Sequence, residues 1–411
     1  MKILAVAAAF EAQRFTRGYP PKGAWLFLRP DLEISRLANL CPNDLFVYLD
    51  ERVDIIETNA GFDLTLVRVD FNQEESARLI VEKFNPSSQP VLLFGPQVTA
   101  WQNRPPDWVK NRVLGDITNI WDKIRVDALN NRLQPVYLAP KNPNYTPPRS
   151  GLAKPILMNT NYQAMFFVRG CACPKEFRHL CPEYLYYQEN VLMRSKEEII
   201  GEVLSLPGKH IHLLDEDITR RPDYYYELFR LLWSYRRHWT VNASDLIFNY
   251  PNLIRLLAKA GTKIIFLNES FLVKRLSQAL KQESVAKHLY RQVKYLQSRR
   301  LLVGAKLTLP ATTAPYAAIA DLLCRIDLDF IEIRFTQGRS NGQGQLVPVT
   351  YHPALNPDEP AWIKSRFYAL NILFDRFFRR PRRVGFHSTG WYLIPYSFAY
   401  RQNFLEGLPY P

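Results

Sequence analysis

Three of the five cysteines of this 411-residue chain lie close together, in the stretch RGCACPKEFRHLC. They are Cys171, Cys173 and Cys181, whereas Cys41 and Cys324 are far from them along the chain. Three thiolates on one loop suit an iron–sulfur cluster, in which three ligands for four irons leave one iron open to a substrate or cofactor. The spacing therefore favours a cluster with an open iron.

Two other interpretations of these thiols remain open on spacing alone. Zinc is commonly held by three cysteines and one histidine, and His179 lies within the same stretch. The thiols could also be incidental, or remnants of a former site, with no metal bound. Five cysteines in a chain of this length do not form a disulfide framework, so a reducing cytoplasm is the expected location.

The bulk composition is that of a large folded protein with a basic surface. Hydrophobic residues make up 47% of the chain, which is enough for the cores of two domains. The formal net charge of +14 favours an anionic partner, but no recognisable RNA-binding module accompanies it, so nucleic acid is not the expected partner. No apolar run approaches the roughly 18 residues that a membrane span needs.

Residues 1–140 alternate between short β-rich runs and helical patterns, which predicts a Rossmann-like parallel sheet. The opening MKILAVAAAF resembles a signal peptide, but we interpret it as the first buried strand because the alternation that follows requires one. The other predicted strands of this domain cover 45–50, 63–69, 90–94 and 111–115. Residues 141–155 are proline-rich, without apolar periodicity, and are predicted to form a linker.

After the linker, residues 156–340 repeat the alternation six times, which predicts a partial (β/α)6 barrel. Ser195 and Glu198 form a capping box that begins one helix, and Gly261 stands where another helix should end. The predicted strands cover 164–168, 210–214, 239–243, 263–268, 301–309 and 329–335. Functional residues of such a sheet gather at the carboxyl ends of its strands. The remaining residues, 341–411, are assigned to a C-terminal extension.

Short motifs follow one another along the chain in a characteristic order. They are LFGPQVT (93–99), LGDITNIW (114–121), RGC (169–171), RS (194–195), LLDED (213–217), FLNES (266–270) and FYALNILFDRFFRRPRR (367–383). This order resembles that of radical S-adenosylmethionine (SAM) enzymes that carry an N-terminal cobalamin-binding domain. The resemblance spans nearly the whole chain. It implies an α/β fold with a Rossmann-like parallel sheet, a partial (β/α)6 radical-SAM barrel and a C-terminal helical extension.

The resemblance also implies cofactors and the residues that bind them. It assigns a [4Fe-4S] cluster to the three clustered thiols, with the open iron chelating the amino and carboxylate groups of SAM. Polar groups at strand ends would hold the rest of SAM. These implied SAM-binding residues are Asp215, Asp217, Asn242, Ser244, Glu269 and Ser270. Aspartate and serine at strand ends are also common helix caps, which is the alternative role for Asp217, Ser244 and Ser270.

The same resemblance assigns Gly95, Thr99 and Gly115 to cobalamin, but the sequence departs from the pattern in two places. The cysteine spacing is Cys-x-Cys-x7-Cys, where the related enzymes have Cys-x3-Cys-x2-Cys. In the cobalamin loops, Phe94 replaces a glycine that leaves room for the ligand, and only Asp116 remains of an acidic turn. The changes in the cobalamin loops predict that cobalamin binds weakly or not at all. The N-terminal domain is then expected to serve mainly as a scaffold and lid.

The resemblance predicts an enzyme that uses SAM to functionalise an unreactive carbon of a small molecule, with an electron donor such as flavodoxin or ferredoxin. Methylation is expected if cobalamin is bound, and rearrangement, cyclisation or oxidation otherwise. A noncatalytic descendant that acts as a binding or assembly subunit is the alternative, favoured by the altered cysteine spacing. An RNA-modifying enzyme is a third hypothesis, supported by the net charge alone.

Overall fold

The computed structural model describes two compact α/β units. The described residues are 1–9, 31–52, 54–56, 61–70, 73–84, 89–140, 145–148, 162–170, 186, 191–206, 208–310, 316–340 and 346–351, of which 162, 269–274, 306–310, 316–317, 320, 330–340 and 346–351 are described by their backbone only. Unit 1 comprises 1–20, 29–159 and 166–206, and unit 2 comprises 21–28, 160–165 and 207–411. The predicted domain boundaries at 140, 155 and 340 stay a prediction.

Unit 1 contains a six-stranded parallel sheet with the strand order β2-β1-β3-β4-β5-β6. Its strands are β1 (Lys2–Ala7), β2 (Leu45–Asp50), β3 (Leu64–Arg68), β4 (Val91–Phe94), β5 (Arg112–Leu114) and β6 (Val136–Leu138). The central strand β1 is apolar and buried along nearly its whole length, as expected for a parallel strand covered on both faces. The predicted Rossmann-like sheet is confirmed, and β6 is an additional edge strand.

Helices join these strands and close the unit. They are α1 (Leu32–Asn39), α2 (Glu74–Phe84), α3 (Pro96–Ala100), α4 (Trp121–Leu129) and α5 (Lys196–Ser205). The capping box of α5 forms as predicted, because the Glu198 N–H donates to Ser195 Oγ at 3.2 Å and the Ser195 N–H donates to Glu198 Oε2 at 2.9 Å. Local sequence alone therefore places the start of this helix.

Unit 2 contains a seven-stranded sheet with the order β15-β14-β13-β12-β11-β10-β7. Its strands are β7 (Tyr162–Met165), β10 (His210–Leu213), β11 (His238–Ala243), β12 (Thr262–Leu267), β13 (Leu302–Pro310), β14 (Phe330–Ser340) and β15 (Leu346–Tyr351). Six strands are parallel and in chain order, which confirms the predicted (β/α)6 arrangement. The antiparallel β15 belongs to the predicted extension, of which residues 352–411 lie outside the described part.

The unit 2 helices follow the strands as a βα pattern requires. They are α6 (Pro222–Leu232), α7 (Pro251–Lys259), α8 (Glu269–Lys281), α9 (Glu283–Ser298) and α10 (Tyr316–Ile326). Gly261 has φ +94 just after α7, and a Cβ there would lie 2.2 Å from the Arg237 carbonyl oxygen. The predicted helix end at this glycine is confirmed, because a side chain at that position would collide with backbone.

The amino-terminal edge of the unit 2 sheet buries a histidine pair. His210 and His238 are the first residues of β10 and β11 and face each other across the two strands. His210 is 2% exposed, and its Nε2 hydrogen-bonds to Thr240 Oγ1 at 2.8 Å. Burial, with smaller contributions from His238 and Lys263, lowers the pKa of His210 to about 3. Burial also lowers the pKa of His238 to about 4.

We expect the free energy of unfolding to fall as the pH decreases from 6.5 towards 4, and to fall less steeply in His210→Gln. An unfolded histidine takes up a proton near pH 6.5, whereas folded His210 stays neutral down to about pH 3. Between pH 6.5 and 4 the unfolded state therefore binds more protons than the folded state. This difference lowers the free energy of unfolding by up to about 1.4 kcal/mol per pH unit for each histidine. Urea unfolding at several pH values measures the slope. His288→Gln, at an exposed position of α9, is the control; equal slopes in the wild type and His210→Gln would contradict the prediction.

Candidate active site

A short antiparallel ladder brings together the two ends of the cysteine-containing segment. β8 (Val168–Arg169) pairs antiparallel with β9 (Leu192–Met193), so residues 169 and 192 lie opposite each other at the two ends of that segment. Gly170, the residue before the first cysteine, has φ +105, a conformation that favours glycine. The predicted metal ligands Cys171, Cys173 and Cys181 lie outside the described residues. Their assignment to a cluster stays a prediction.

Arg194 fixes the base of this ladder from inside unit 1. Its backbone N–H donates to the Phe167 carbonyl at 3.1 Å, and its Nη1 donates to the Phe166 carbonyl at 2.8 Å. Its Nη2 pairs with Glu202 Oε2 of α5 at 2.6 Å, with both side chains at most 1% exposed. The guanidinium carbon lies 3.5 Å from the centre of the Tyr145 ring, a cation–π contact. One side chain thus joins the ladder, α5 and the linker region.

The buried carboxyl of Glu202 shapes the electrostatics beneath the ladder. Burial raises its pKa, and the neighbouring Arg194 opposes that rise. The Tyr145 hydroxyl donates to the same carboxyl oxygen, Oε2, and burial followed by the charge of Glu202 raises the pKa of that hydroxyl. Removal of the arginine would leave this carboxyl buried without its ion-pair partner.

At the carboxyl edge of the unit 2 sheet, Asp217 and Ser244 hold two loops together. Asp217 Oδ1 accepts the Thr219 N–H at 2.9 Å and the Ser244 N–H at 3.0 Å. Ser244 Oγ shares a hydrogen bond of 2.6 Å with Thr219 Oγ1 and accepts the Leu246 N–H at 3.4 Å. Both side chains cap short 3₁₀ turns, the alternative role that the sequence left open. Their contact with SAM stays a prediction.

Asp215 lies at the same edge and is 3% exposed. The Tyr225 hydroxyl of α6 donates to Asp215 Oδ2. Burial, and then the charge of Asp215, raises the pKa of that hydroxyl, so Tyr225 is a protonated donor. The sequence alone does not single out Tyr225, because nothing local in a tyrosine-rich helix marks which ring faces a strand end.

Asn242, near the end of β11, has an unusual hydrogen-bond balance. Its Nδ2 donates to the Asp215 carbonyl at 2.9 Å and the Leu213 carbonyl at 3.4 Å, which fixes the orientation of the amide. The residue is only 8% exposed, so water has little access to it. Its buried Oδ1 nevertheless has no hydrogen-bond partner among the described residues. An unsatisfied buried acceptor costs about 1–3 kcal/mol, so this atom marks a place for a donor.

The backbone at the end of β12, where Glu269 and Ser270 follow, lies beside the end of β11. The Asn268 N–H donates to the Ala243 carbonyl at 2.9 Å, so the end of β12 meets the end of β11. Glu269 and Ser270 begin α8 directly afterwards, with only their backbone described. The structure therefore brings four of the six predicted SAM residues into contact as two pairs. The Asn242 amide donates to the Asp215 carbonyl, and the Ser244 N–H donates to the Asp217 carboxylate.

The three residues assigned to cobalamin also meet, at the carboxyl edge of the unit 1 sheet. Thr99 Oγ1 accepts the Gly115 N–H at 3.0 Å and donates to the Gly95 carbonyl at 3.2 Å. One hydroxyl thus joins the loops after β4 and β5. Gly95 and Gly115 have φ +114 and +91, values that favour glycine.

Neither a metal-binding cluster nor a membrane-spanning helix is found in the part of the chain that the structure describes. No group of three or more histidine, cysteine, aspartate or glutamate side chains is placed there to hold a metal ion. Within the same residues, no helix has the length and hydropathy needed to cross a bilayer.

Comparison with known proteins places this geometry in context. No family model matches the chain. Bacteriochlorophyllide d C-12(1)-methyltransferase from Chlorobaculum tepidum is 20% identical over 232 residues, which cover 53% of this chain. The matched segment spans half (50%) of the length of that curated relative.

Two solved structures share the architecture over most of the chain. The radical SAM methyltransferase TsrM from Kitasatospora setae, solved with cobalamin and a [4Fe-4S] cluster bound, matches with a TM-score of 0.54 and 14% identity, over 82% of this chain and 73% of that one. The cobalamin-dependent SAM radical enzyme OxsB, with aqua-cobalamin and SAM bound, matches with a TM-score of 0.54 and 11% identity, over 95% and 57% of the two chains. At these identities the shared property is the fold. The chain therefore has the α/β fold of the cobalamin-dependent radical SAM enzymes, as the order of its motifs predicted.

Proposed function

We propose that this protein is a radical SAM enzyme that functionalises an unreactive carbon of a small-molecule substrate. The observation that carries the proposal is the buried, unsatisfied Oδ1 of Asn242 at the carboxyl edge of the unit 2 sheet. Ligands of parallel α/β sheets bind at that edge, and SAM has N–H and O–H groups that can donate a hydrogen bond to an amide oxygen. The fold shared with TsrM and OxsB supports the same assignment.

The donor set of the cysteine segment fits a [4Fe-4S] cluster. Three thiolates from Cys171, Cys173 and Cys181 leave one iron for the amino and carboxylate groups of SAM. When bound, the cluster supplies one electron for cleavage of the SAM sulfonium and so for a radical that abstracts hydrogen from the substrate. The protein orients and isolates the reactants.

The described residues of unit 2 would hold SAM in a rigid frame. Asp217 and Ser244 fix the two loops by their mutual hydrogen bond of 3.0 Å, which keeps the strand ends in place. Asn242 offers its free acceptor, already oriented by the Asp215 carbonyl. Asp215 is itself held by the Tyr225 hydroxyl, so its carboxyl keeps a fixed direction beside the same edge. Glu269, two residues past the end of β12, is proposed as a further SAM ligand.

The reaction outcome depends on cobalamin. The curated relative and TsrM are both methyltransferases, so methylation is the outcome proposed for a cobalamin-bound form of this protein. In the proposed scheme methylation requires bound cobalamin, and without it the same radical would lead to rearrangement, cyclisation or oxidation. Flavodoxin or ferredoxin is proposed as the electron donor, and the cytoplasm as the location.

The second candidate is a noncatalytic descendant that retains the fold for binding or assembly. The use of Asp217 and Ser244 as caps favours it, because capping explains both side chains without a ligand. Anaerobic reconstitution with iron and sulfide, followed by electron paramagnetic resonance with and without SAM, separates the two candidates. The enzyme should show a cluster signal that changes with SAM and should release 5′-deoxyadenosine or a methylated product. A cluster indifferent to SAM would favour the noncatalytic candidate.

We expect Asn242→Leu to weaken SAM binding by about tenfold, the effect of losing one hydrogen bond to a ligand. Leucine keeps the approximate volume of the side chain but removes the buried acceptor. Equilibrium binding of SAM to the reconstituted protein gives the dissociation constant. Asn252→Leu, at an exposed position of α7, is the matched control and should bind like the wild type. Unchanged affinity in a folded Asn242→Leu protein would remove this residue from the SAM site.

A further inference from the structure

The unit 1 sheet has the strand order of folds that bind a ligand at their carboxyl edge. β1 lies between β2 and β3, so the chain changes direction at the β1/β3 pair, and this switch point normally opens a ligand crevice. In TsrM and OxsB the fold is found with cobalamin. The residues at this edge of unit 1 therefore show whether the crevice fits such a ligand.

The two glycines of the predicted cobalamin loops face protein atoms. A Cβ on Gly95 would lie 2.6 Å from the Val69 carbonyl oxygen. A Cβ on Gly115 would lie 3.0 Å from Ala139 Cβ and 3.7 Å from the Tyr186 carbonyl oxygen. The backbone contact excludes a side chain at Gly95, and the φ of +91 disfavours one at Gly115, so both glycines are explained by the chain itself without a cofactor.

The remaining ligand-facing positions of these loops are also occupied by internal contacts. Phe94, at the end of β4, is completely buried, with a relative exposure of 0%. Asp116 Oδ2 pairs with Arg36 Nη1 at 2.8 Å, and both side chains are at most 3% exposed. Arg36 also donates to Thr118 Oγ1 at 3.2 Å and to the Thr146 carbonyl at 3.0 Å. The carboxylate of the acidic turn therefore already forms an ion pair with an arginine of α1.

At the switch point, carboxylates surround a single guanidinium. Arg68, the last residue of β3, lies 2.8 Å from Asp31, 2.9 Å from Glu33 and 3.2 Å from Asp70. The Tyr186 hydroxyl donates to Glu33 Oε1. Burial raises the pKa of Glu33 to about 7, with Arg68 opposing the rise. An acidic edge of this kind disfavours the phosphate of a cobalamin tail.

We infer that the chain itself closes this crevice, with Phe94 and the backbone at Tyr186 taking the space that cobalamin would use. Tyr186 lies between the cysteine run and β9, and its hydroxyl contact with Glu33 anchors it to α1. This inference concerns unit 1 alone and does not depend on SAM binding in unit 2.

Hydroxocobalamin titration of the full-length chain tests the closure. Both iron-free and reconstituted protein should show no shift of the cobalamin absorption spectrum and should retain no cobalamin after desalting. Stoichiometric retention with a base-off spectrum, in either preparation, would overturn the inference. The iron-free sample keeps this outcome independent of whether the cluster assembles. Phe94→Gly should gain detectable binding, and its failure to do so would overturn the role given to the benzyl group.

Hydrogen exchange around residue 186 tests the anchor directly. Glu33→Ala should increase exchange of that segment by about tenfold, because it removes the acceptor of the tyrosine hydroxyl. Glu33→Gln keeps an acceptor and should restore most of the protection, which a general loss of stability would not do. Exchange in helix α2, away from this contact, serves as the internal reference. Equal exchange at residue 186 in wild type and Glu33→Ala would refute the anchoring role.

Discussion

Replacement of Cys171, Cys173 or Cys181 with alanine should remove most of the iron from anaerobically reconstituted protein. The wild type should hold about four irons per chain, and each thiolate is proposed to bind a different iron. A cluster with only two protein ligands is poorly held, so a single change has a nearly all-or-none effect. Iron and sulfide assays, with the visible absorption of the cluster, give the result.

The two remaining cysteines provide matched controls. Cys41 is buried and its thiol donates to the Leu37 carbonyl at 3.4 Å, whereas Cys324 is exposed. Cys41→Ala and Cys324→Ala should both retain iron. His179→Ala distinguishes the metals, because a zinc site with three cysteines and one histidine would lose its metal and an iron cluster would not. Zinc in the purified protein, or iron retained by all three loop variants, would disprove the cluster.

Arg194→Met should lower the free energy of unfolding by about 3–5 kcal/mol, the usual cost of breaking a buried ion pair from one side. The substitution leaves Glu202 buried without its partner at 2.6 Å. It also removes the hydrogen bond to the Phe166 carbonyl and the stacking on Tyr145. Urea unfolding followed by tryptophan fluorescence measures the loss.

A second substitution separates the lost charge pair from the lost packing. Glu202→Leu combined with Arg194→Met removes both charges and should recover much of the stability, because no uncompensated carboxylate remains. Arg78→Ala is the surface control, since its ion pairs with Glu75 and Glu82 on α2 are exposed and should matter little. Arg194→Met with the stability of the wild type would show that the pair is not structural.

Local sequence was sufficient for much of the secondary structure and for the parallel βα arrangement of both sheets. The predicted strand at 45–50 coincides with β2, because alternation and β-branched or aromatic residues act within one short segment. The capping box at Ser195 and the helix end at Gly261 were likewise predictable, since caps depend on residues three or four positions apart. The parallel sheets followed from the βα alternation. The three-residue edge strand β6 is too short to carry such a signal.

The sequence by itself determined the fold class, the three-thiol segment and which polar residues follow each strand. Only the tertiary structure decided what those residues contact. Asp116 meets an arginine 80 residues away, and Glu33 meets a tyrosine 153 residues away. It is likewise the packing that gives Asp217 two backbone partners and leaves Asn242 Oδ1 without one. The physical reason is range: caps and strand periodicity arise from neighbours along the chain, whereas burial and ion pairing are set by segments that meet only after folding.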